Sequence, residues 1–239
     1  MDRLTRRELK QDELRTTFEN FEDFVKERYQ QILTVAGIVL VVVAAAIGLK
    51  VYLDRQVEAA NTELNEAMTT FRAQVGAPAP GSLEAGAKMF PTAKEKFDKA
   101  LSQFADITQR FPRTKAAAIA RYHVGVCQAQ LGDQAGAIKT LTEAGRYSDK
   151  GIASLAQLAL AGELVKTGKL AEAAKIYQDL AAHPTTTVPR VTALLALADA
   201  YRGTQPVQAR LVYTQLDKEV GAENMLSAYL KQQIDSLPK

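Results

Sequence analysis

The chain has 239 residues, with 30 basic and 27 acidic side chains, a formal net charge of +3, one cysteine, two histidines and no tryptophan. A single cysteine excludes an internal disulfide framework and any multi-thiolate metal site, and so small a net charge gives no basic field for nucleic acid. Mean hydropathy of −0.14 describes an ordinary soluble chain, but the average conceals one segment of a different kind.

Residues 1–31 form a charged arm with eight acidic and seven basic side chains. Phe18, Phe21, Val25, Tyr29 and Ile32 recur at steps of three and four, the spacing of one apolar stripe on a helix. An amphipathic arm is therefore expected here. From Ile32 to Leu49 there follow 18 consecutive uncharged residues, nearly all aliphatic. As helix, that run is about 27 Å long, close to the ~30 Å hydrocarbon core of a bilayer. Lys50 can lift its ammonium to the headgroups, and Tyr52 stands where interfacial aromatics are favoured. The sequence thus predicts a transmembrane helix over 32–53. Ala44 and Ala46 supply the small-residue pair of a cleavage site, but a signal peptide has a short basic leader, unlike this long mixed-charge arm.

Orientation follows Lys and Arg alone. The arm carries seven, whereas 50–75 carries three, Lys50, Arg55 and Arg72. This predicts the N-terminus inside and the remainder outside. In a bacterium that is a single-pass inner-membrane protein with a cytoplasmic arm and a periplasmic C-terminal part.

Residues 54–75 are rich in helix formers, and Val57, Leu64, Met68, Phe71 and Val75 make an apolar face, so a helical stalk is expected. Residues 76–90 read as a linker, broken by Pro78, Pro80 and three glycines, with Pro91 placed to open the next helix.

The rest, 91–239, has no β-rich run and is dense in alanine, with 21 in the 85 residues from Ala116 to Ala200. Small residues at that density let helices approach closely, which directs attention to an internal period. Gly132, Gly168 and Gly203 are spaced by 36 and 35 residues. Gly125, Gly132, Ala137, Leu141 and Ala144 in the first unit match Ala161, Gly168, Ala173, Tyr177 and Leu180 in the second at the same steps. The third begins at Ala196 and Gly203, then slips by one residue to Ala209 and Tyr213. Upstream, Ala100, Phe104, Ile107 and Pro112 fit the second half of the pattern. Small residues suit the crossing of two helices, glycine permits a left-handed turn between them, and a large residue fills the gap to the next pair.

These units resemble the tetratricopeptide repeat (TPR) family, most strongly from Phe111 to Leu141. The resemblance implies an all-α fold, a TPR-like α-solenoid of about three to four degenerate helix hairpins over 91–239. The periods run long against the usual ~34 residues. The closing proline is absent at Asp149 and one place early at Pro184, and Pro206 falls in the first turn of a helix. Ala222 to Leu237 reads as a terminal helix with Met225, Leu226, Tyr229, Leu230 and Ile234 on its packing face.

Little catalytic material remains. His123 and Cys127 are four apart, hence on one helix face, which is the geometry of a two-ligand metal site or a base–nucleophile pair. No second histidine or cysteine lies near to complete either, so packing is the better reading; Asp133 is expected to cap a helix. No enzyme activity, metal or cofactor is expected. In TPR-like folds the concave face is lined by the first helix of each unit. Here that face would hold Tyr122, Val126 and Gln130, then Leu158, Val165 and Lys166, then Leu197 and Tyr201. The mixed apolar and polar character suits extended polypeptide, the alternative being that several of these residues pack inside the superhelix.

The whole layout is similar to that of the bacterial ancillary subunits of the Sec translocon. That resemblance implies association with the SecYEG channel, with periplasmic chaperones and with emerging secreted chains. Two other classes stay open: an envelope scaffold for division, pilus or outer-membrane assembly, and a cleaved, soluble periplasmic TPR protein.

Overall fold

The computed structural model describes residues 6–76, 89–221 and 225–238, with backbone alone over 6–27 and at 32. The side chains of the arm's stripe (Phe18, Phe21, Val25), the linker between 77 and 88, and residues 222–224 of the terminal segment lie outside the described residues. The chain divides into two compact units, Met1–Arg55 and Gln56–Lys239, and helix α1 (Arg6–Arg72) carries residues of both.

In the first unit, the side chains from 33 to 55 are all exposed. Leu40 is 70% exposed and Val41 65%. The most apolar stretch of this helix has a mean hydropathy of 2.9. It is long and apolar enough to cross a membrane. Helix is also the only single-segment structure that satisfies its own backbone in lipid. No described residue covers this surface, and hydrocarbon would remove it from water at about 25 cal/mol per Å².

The second unit opens with Gln56–Arg72 of α1, and this stretch is not a bare stalk. Ala60 and Ala67 are fully buried and Leu64 nearly so, in one cluster with Ala100, Phe104 and Ile107. Those partners lie on α2 (Ala93–Arg110). Phe71 meets Phe97 and Phe104 edge-on at centroid distances of 5.8 and 6.1 Å. Arg110 pairs with Glu63 at 2.7 Å. The end of α1 and α2 are thus two helices of one packed pair. Between them, β1 (Gln74–Val75) pairs in parallel with β2 (Met89–Phe90), Gln74 opposite Met89 and Val75 opposite Phe90, drawing the two ends of the intervening segment together.

Pro91 does not open α2. Thr92 is its N-cap, accepting a hydrogen bond from the Glu95 amide at 3.2 Å and donating to Glu95 Oε1 at 3.0 Å. A hydroxyl that answers an unpaired amide is what this position needs, and proline has none.

The remaining helices are α3 (Lys115–Gln130), α4 (Gln134–Ala144), α5 (Lys150–Lys166), α6 (Leu170–Ala182), α7 (Arg190–Arg202), α8 (Pro206–Val220) and α9 (Met225–Asp235). Each from α2 onward packs on the next, and α3, α5 and α7 also touch in series. The result is an all-α stack of TPR-like helical repeats. Its hairpins cross at small residues: Ala137, Ala161 and Ala173 are fully buried, and Tyr177, 5% exposed, fills the space between units. At the buried Gly125 on α3, an added Cβ would come within 2.7 Å of Leu141 Cγ on α4.

Two of the three glycine turns share one geometry. Gly132 (φ 85°) and Gly168 (φ 78°) are left-handed. The amide after each, Asp133 or Lys169, donates to the carbonyl five residues back, that of Gln128 or Leu164. This is the Schellman ending, which glycine alone adopts without a Cβ penalty. Gly203 differs. Its φ is −79° and its turn closes instead through Gln205 N–H to Tyr201 O at 2.7 Å, so a left-handed glycine turn is corrected there. Pro206 at the first position of α8 presets the helical φ.

At the far end, Leu230 is fully buried and Leu226 and Ile234 partly so, whereas Met225 is 94% exposed and Tyr229 41%. The packing face of α9 is therefore narrower than its apolar residues suggest. Ser227 takes the place expected for Met225 or Tyr229, its hydroxyl bonded to Asp217 on α8.

Candidate functional site: a groove between α3 and α5

The first helices of successive hairpins, α3 and α5, touch directly and leave a cavity of about 290 Å³ between their N-terminal halves. It is lined by Lys115, Ile119, Tyr122 and His123 of α3, by Asp149, Gly151, Ile152 and Leu155 at the start of α5, and by Thr187 of the α6–α7 loop. Steps of three and four place Ile119, Tyr122 and His123 on one face of α3, while Ile152 and Leu155 share a face of α5.

The rim is built from helix caps. Thr114 accepts from the Ala117 amide at 3.1 Å and starts α3. Asp149 accepts from the Gly151 and Ile152 amides at 3.0 and 3.1 Å and starts α5. The Asp149 carboxylate also takes Lys115 across the mouth at 2.9 Å. That lysine, with the two amides, holds its pKa below the usual carboxylate value. Opposite, the Thr187 hydroxyl donates to the Gly151 carbonyl at 2.9 Å. The buried Ser154 hydroxyl lies 2.8 Å from Thr185 Oγ1 and 3.1 Å from Thr187 Oγ1. These contacts fasten the loop to the first turn of α5. The rim's polar groups answer one another, and the interior between them is mainly aliphatic and aromatic.

His123 forms the wall toward α2. Its ring stacks on Phe104 at 4.9 Å with 15° between planes, and meets Phe71 edge-on at 5.0 Å. Nδ1 is buried without a hydrogen-bond partner among the described residues. Burial, aided by the nearby charge of Arg72, lowers its pKa to about 4, so the ring is neutral at pH 7. Cys127, one turn on, is fully buried, and burial pushes its thiol up to about 12 despite the attraction of Lys96. A neutral thiol sealed from solvent is no nucleophile. Among the described residues no cluster of three His, Cys, Asp or Glu is placed to hold a metal ion.

The residues expected on the concave face are distributed as follows. Tyr122 lines the cavity, and Val126, half-buried, and Gln130, exposed, continue along α3. On α5, Leu158 and Val165 are half-buried, and exposed Lys166 pairs with Glu163 at 2.7 Å. Tyr201 is half-buried on α7, but Leu197, 3% exposed, is part of the core rather than the surface. Ile119, Ile152, Leu155, Thr187 and the Lys115–Asp149 pair escaped the sequence reading. One turn back from Tyr122 and from Leu158 stand Ile119 and Leu155, so the same stripes carried the signal.

The tetratricopeptide repeat family model matches residues 93–150, which contain α2, α3, α4 and the first residue of α5. Comparison with curated proteins and with solved structures finds no match. The α3 wall of the groove thus lies inside the matched repeat, and the class the fold and match define is a TPR-like helical-repeat protein.

Proposed function

We propose that this chain is a membrane-anchored binding module whose groove holds segments of extended polypeptide. The observation that carries the reading is the apolar cavity between α3 and α5, flanked along both helices by the half-buried Val126, Leu158 and Val165. Stacked helix hairpins present such a surface without catalytic groups, and the two side chains most suited to chemistry, His123 and Cys127, are neutral at pH 7 and held in packing. Anchoring rests on the uncharged run from Ile32 to Leu49, and the side of the membrane on the excess of Lys and Arg in the arm. In a bacterium the groove would, on this reading, face the periplasm.

The finer reading is an ancillary translocon factor that meets emerging secreted chains beside SecYEG and passes them to periplasmic chaperones. What supports it is the layout of arm, single apolar helix and TPR-like domain. The test is photo-crosslinking in living cells from positions 122 and 201, with affinity purification in mild detergent. Translocon subunits or secretory precursors among the adducts are the expected result. Recovery of one structural envelope protein alone would replace this reading with an envelope scaffold.

A further inference from the structure

We infer that the cavity between α3 and α5 is an anchor pocket for one bulky apolar side chain, aromatic or branched aliphatic, of an extended polypeptide that carries no charge at that position. The inference rests on the groove binding polypeptide and names the chemistry the groove selects.

Size is the first argument. At about 290 Å³ the cavity falls just below the range of small-molecule pockets, ~300 to 1,000 Å³. Its space suits one side chain better than a cofactor. Lining is the second. Ile119 and Tyr122 face Ile152 and Leu155, and none of these four brings a charge. Charge is the third and decides between partners. The two lysines on this surface already have carboxylates, Lys115 with Asp149 at 2.9 Å and Lys166 with Glu163 at 2.7 Å. An acidic motif would have to share an ammonium already paired with a carboxylate, and inside the pocket it would lose its hydration against mainly apolar walls. A cationic side chain would likewise meet Asp149 already engaged by Lys115 and by two amides. Thr187 spends its proton on the Gly151 carbonyl, so this rim hydroxyl is already engaged. The complementary partner is therefore apolar, and its main chain runs along the groove.

The test uses the full chain in lipid nanodiscs and three blocked nine-residue peptides of Ser, Gly and Asn. The first carries a photoreactive phenylalanine analogue at its central position, and the other two carry alanine or glutamate there with a photoreactive group at one terminus. Expected is labelling of α3 and α5 around Ile119 and Leu155 by the first peptide, and its competition by unmodified Phe or Leu peptides but not by the Ala or Glu forms. Leu155→Lys should weaken binding about tenfold or more, as loss of one buried apolar anchor does. Ile119→Ser, on the opposite wall, should act in the same direction. Helical content by circular dichroism checks that both variants fold. If the Glu peptide competes as well as the Phe peptide, or both folded variants bind normally, the pocket assignment is overturned. Labelling confined to the region of Val165 and Tyr201 would overturn the pocket while leaving polypeptide binding in place. No groove labelling by any peptide would overturn both.

Discussion

His123 sits in an environment far from its ordinary one. The fold holds it neutral between Phe104 and Phe71, with a pKa of about 4. In the unfolded chain the ring titrates near 6.5, so the unfolded state binds the extra proton first. The contribution is fully present above about pH 6.5 and is lost as pH falls toward 4, by up to about 3 kcal/mol. Phenylalanine keeps the stacking and removes the buried Nδ1, which has no partner among the described residues, a substitution that costs little when no hydrogen bond is lost. His123→Phe is expected to match the native stability at pH 7 and to exceed it at pH 4.5. Denaturant midpoints at the two pH values check this. Carboxylates with lowered pKa values, Asp149 and Glu219, weaken both proteins alike in acid, so the difference between the two isolates the histidine. Equal loss in both would show that the ring is not held neutral.

At the scale of elements, the informative one is the end of α1. As a solvated stalk, Gln56–Arg72 would tolerate almost any substitution on its faces. Packed on α2, it has no space at Ala60 or Ala67, both fully buried. Ala67→Leu is therefore expected to overpack the first helix pair and lower the stability of Gln56–Lys239 by about 1–3 kcal/mol. An exposed surface site would change by no more than about 0.5 kcal/mol. Thermal denaturation in detergent distinguishes these outcomes. The sequence displayed Leu64, Met68 and Phe71 as an apolar stripe but not its cover, because the partner helix follows a Pro- and Gly-rich interval that conceals which surfaces return to one another. The closest contacts are also made by alanines, which carry little weight in any hydrophobic pattern. By contrast, Gly132 and Gly168 were legible, since a left-handed residue at a helix end is a local demand that only the residue type must meet. Gly203 looked the same by spacing and is not, because Pro206 starts the next helix and the turn closes through Gln205. The candidate groove was legible as stripes along α3 and α5. Its deepest part was not, since the Lys115–Asp149 pair and Thr187 come together only when the α6–α7 loop docks on α5. Leu197 shows the same limit, for three leucines within four residues of α7 cannot be ranked as core or surface by hydrophobicity alone.

For the whole molecule, the proposed anchoring turns on which side of a membrane the arm and the groove occupy. The exposed run around Leu40 and Val41 is long and apolar enough to cross a membrane, and on the proposed anchoring a charge at its centre would cost about 2.5–3.5 kcal/mol on insertion. The bias of Lys and Arg then predicts the arm inside. The native thiol makes this measurable without altering it, because Cys127 is fully buried and stays protonated, so it gives no background to a maleimide. Cysteines introduced as Gln11→Cys in the arm and Ser236→Cys at the exposed C-terminal end serve as reporters. In bacterial cells with a permeabilised outer membrane, an impermeant maleimide is expected to modify S236C at once and Q11C only after the inner membrane is broken. Both variants should stay in the membrane pellet through a carbonate wash at full length. A soluble species shortened near Ala46 would replace the anchor with a cleaved signal. The reverse labelling order would place the groove in the cytoplasm, where it could not meet chains that have already crossed.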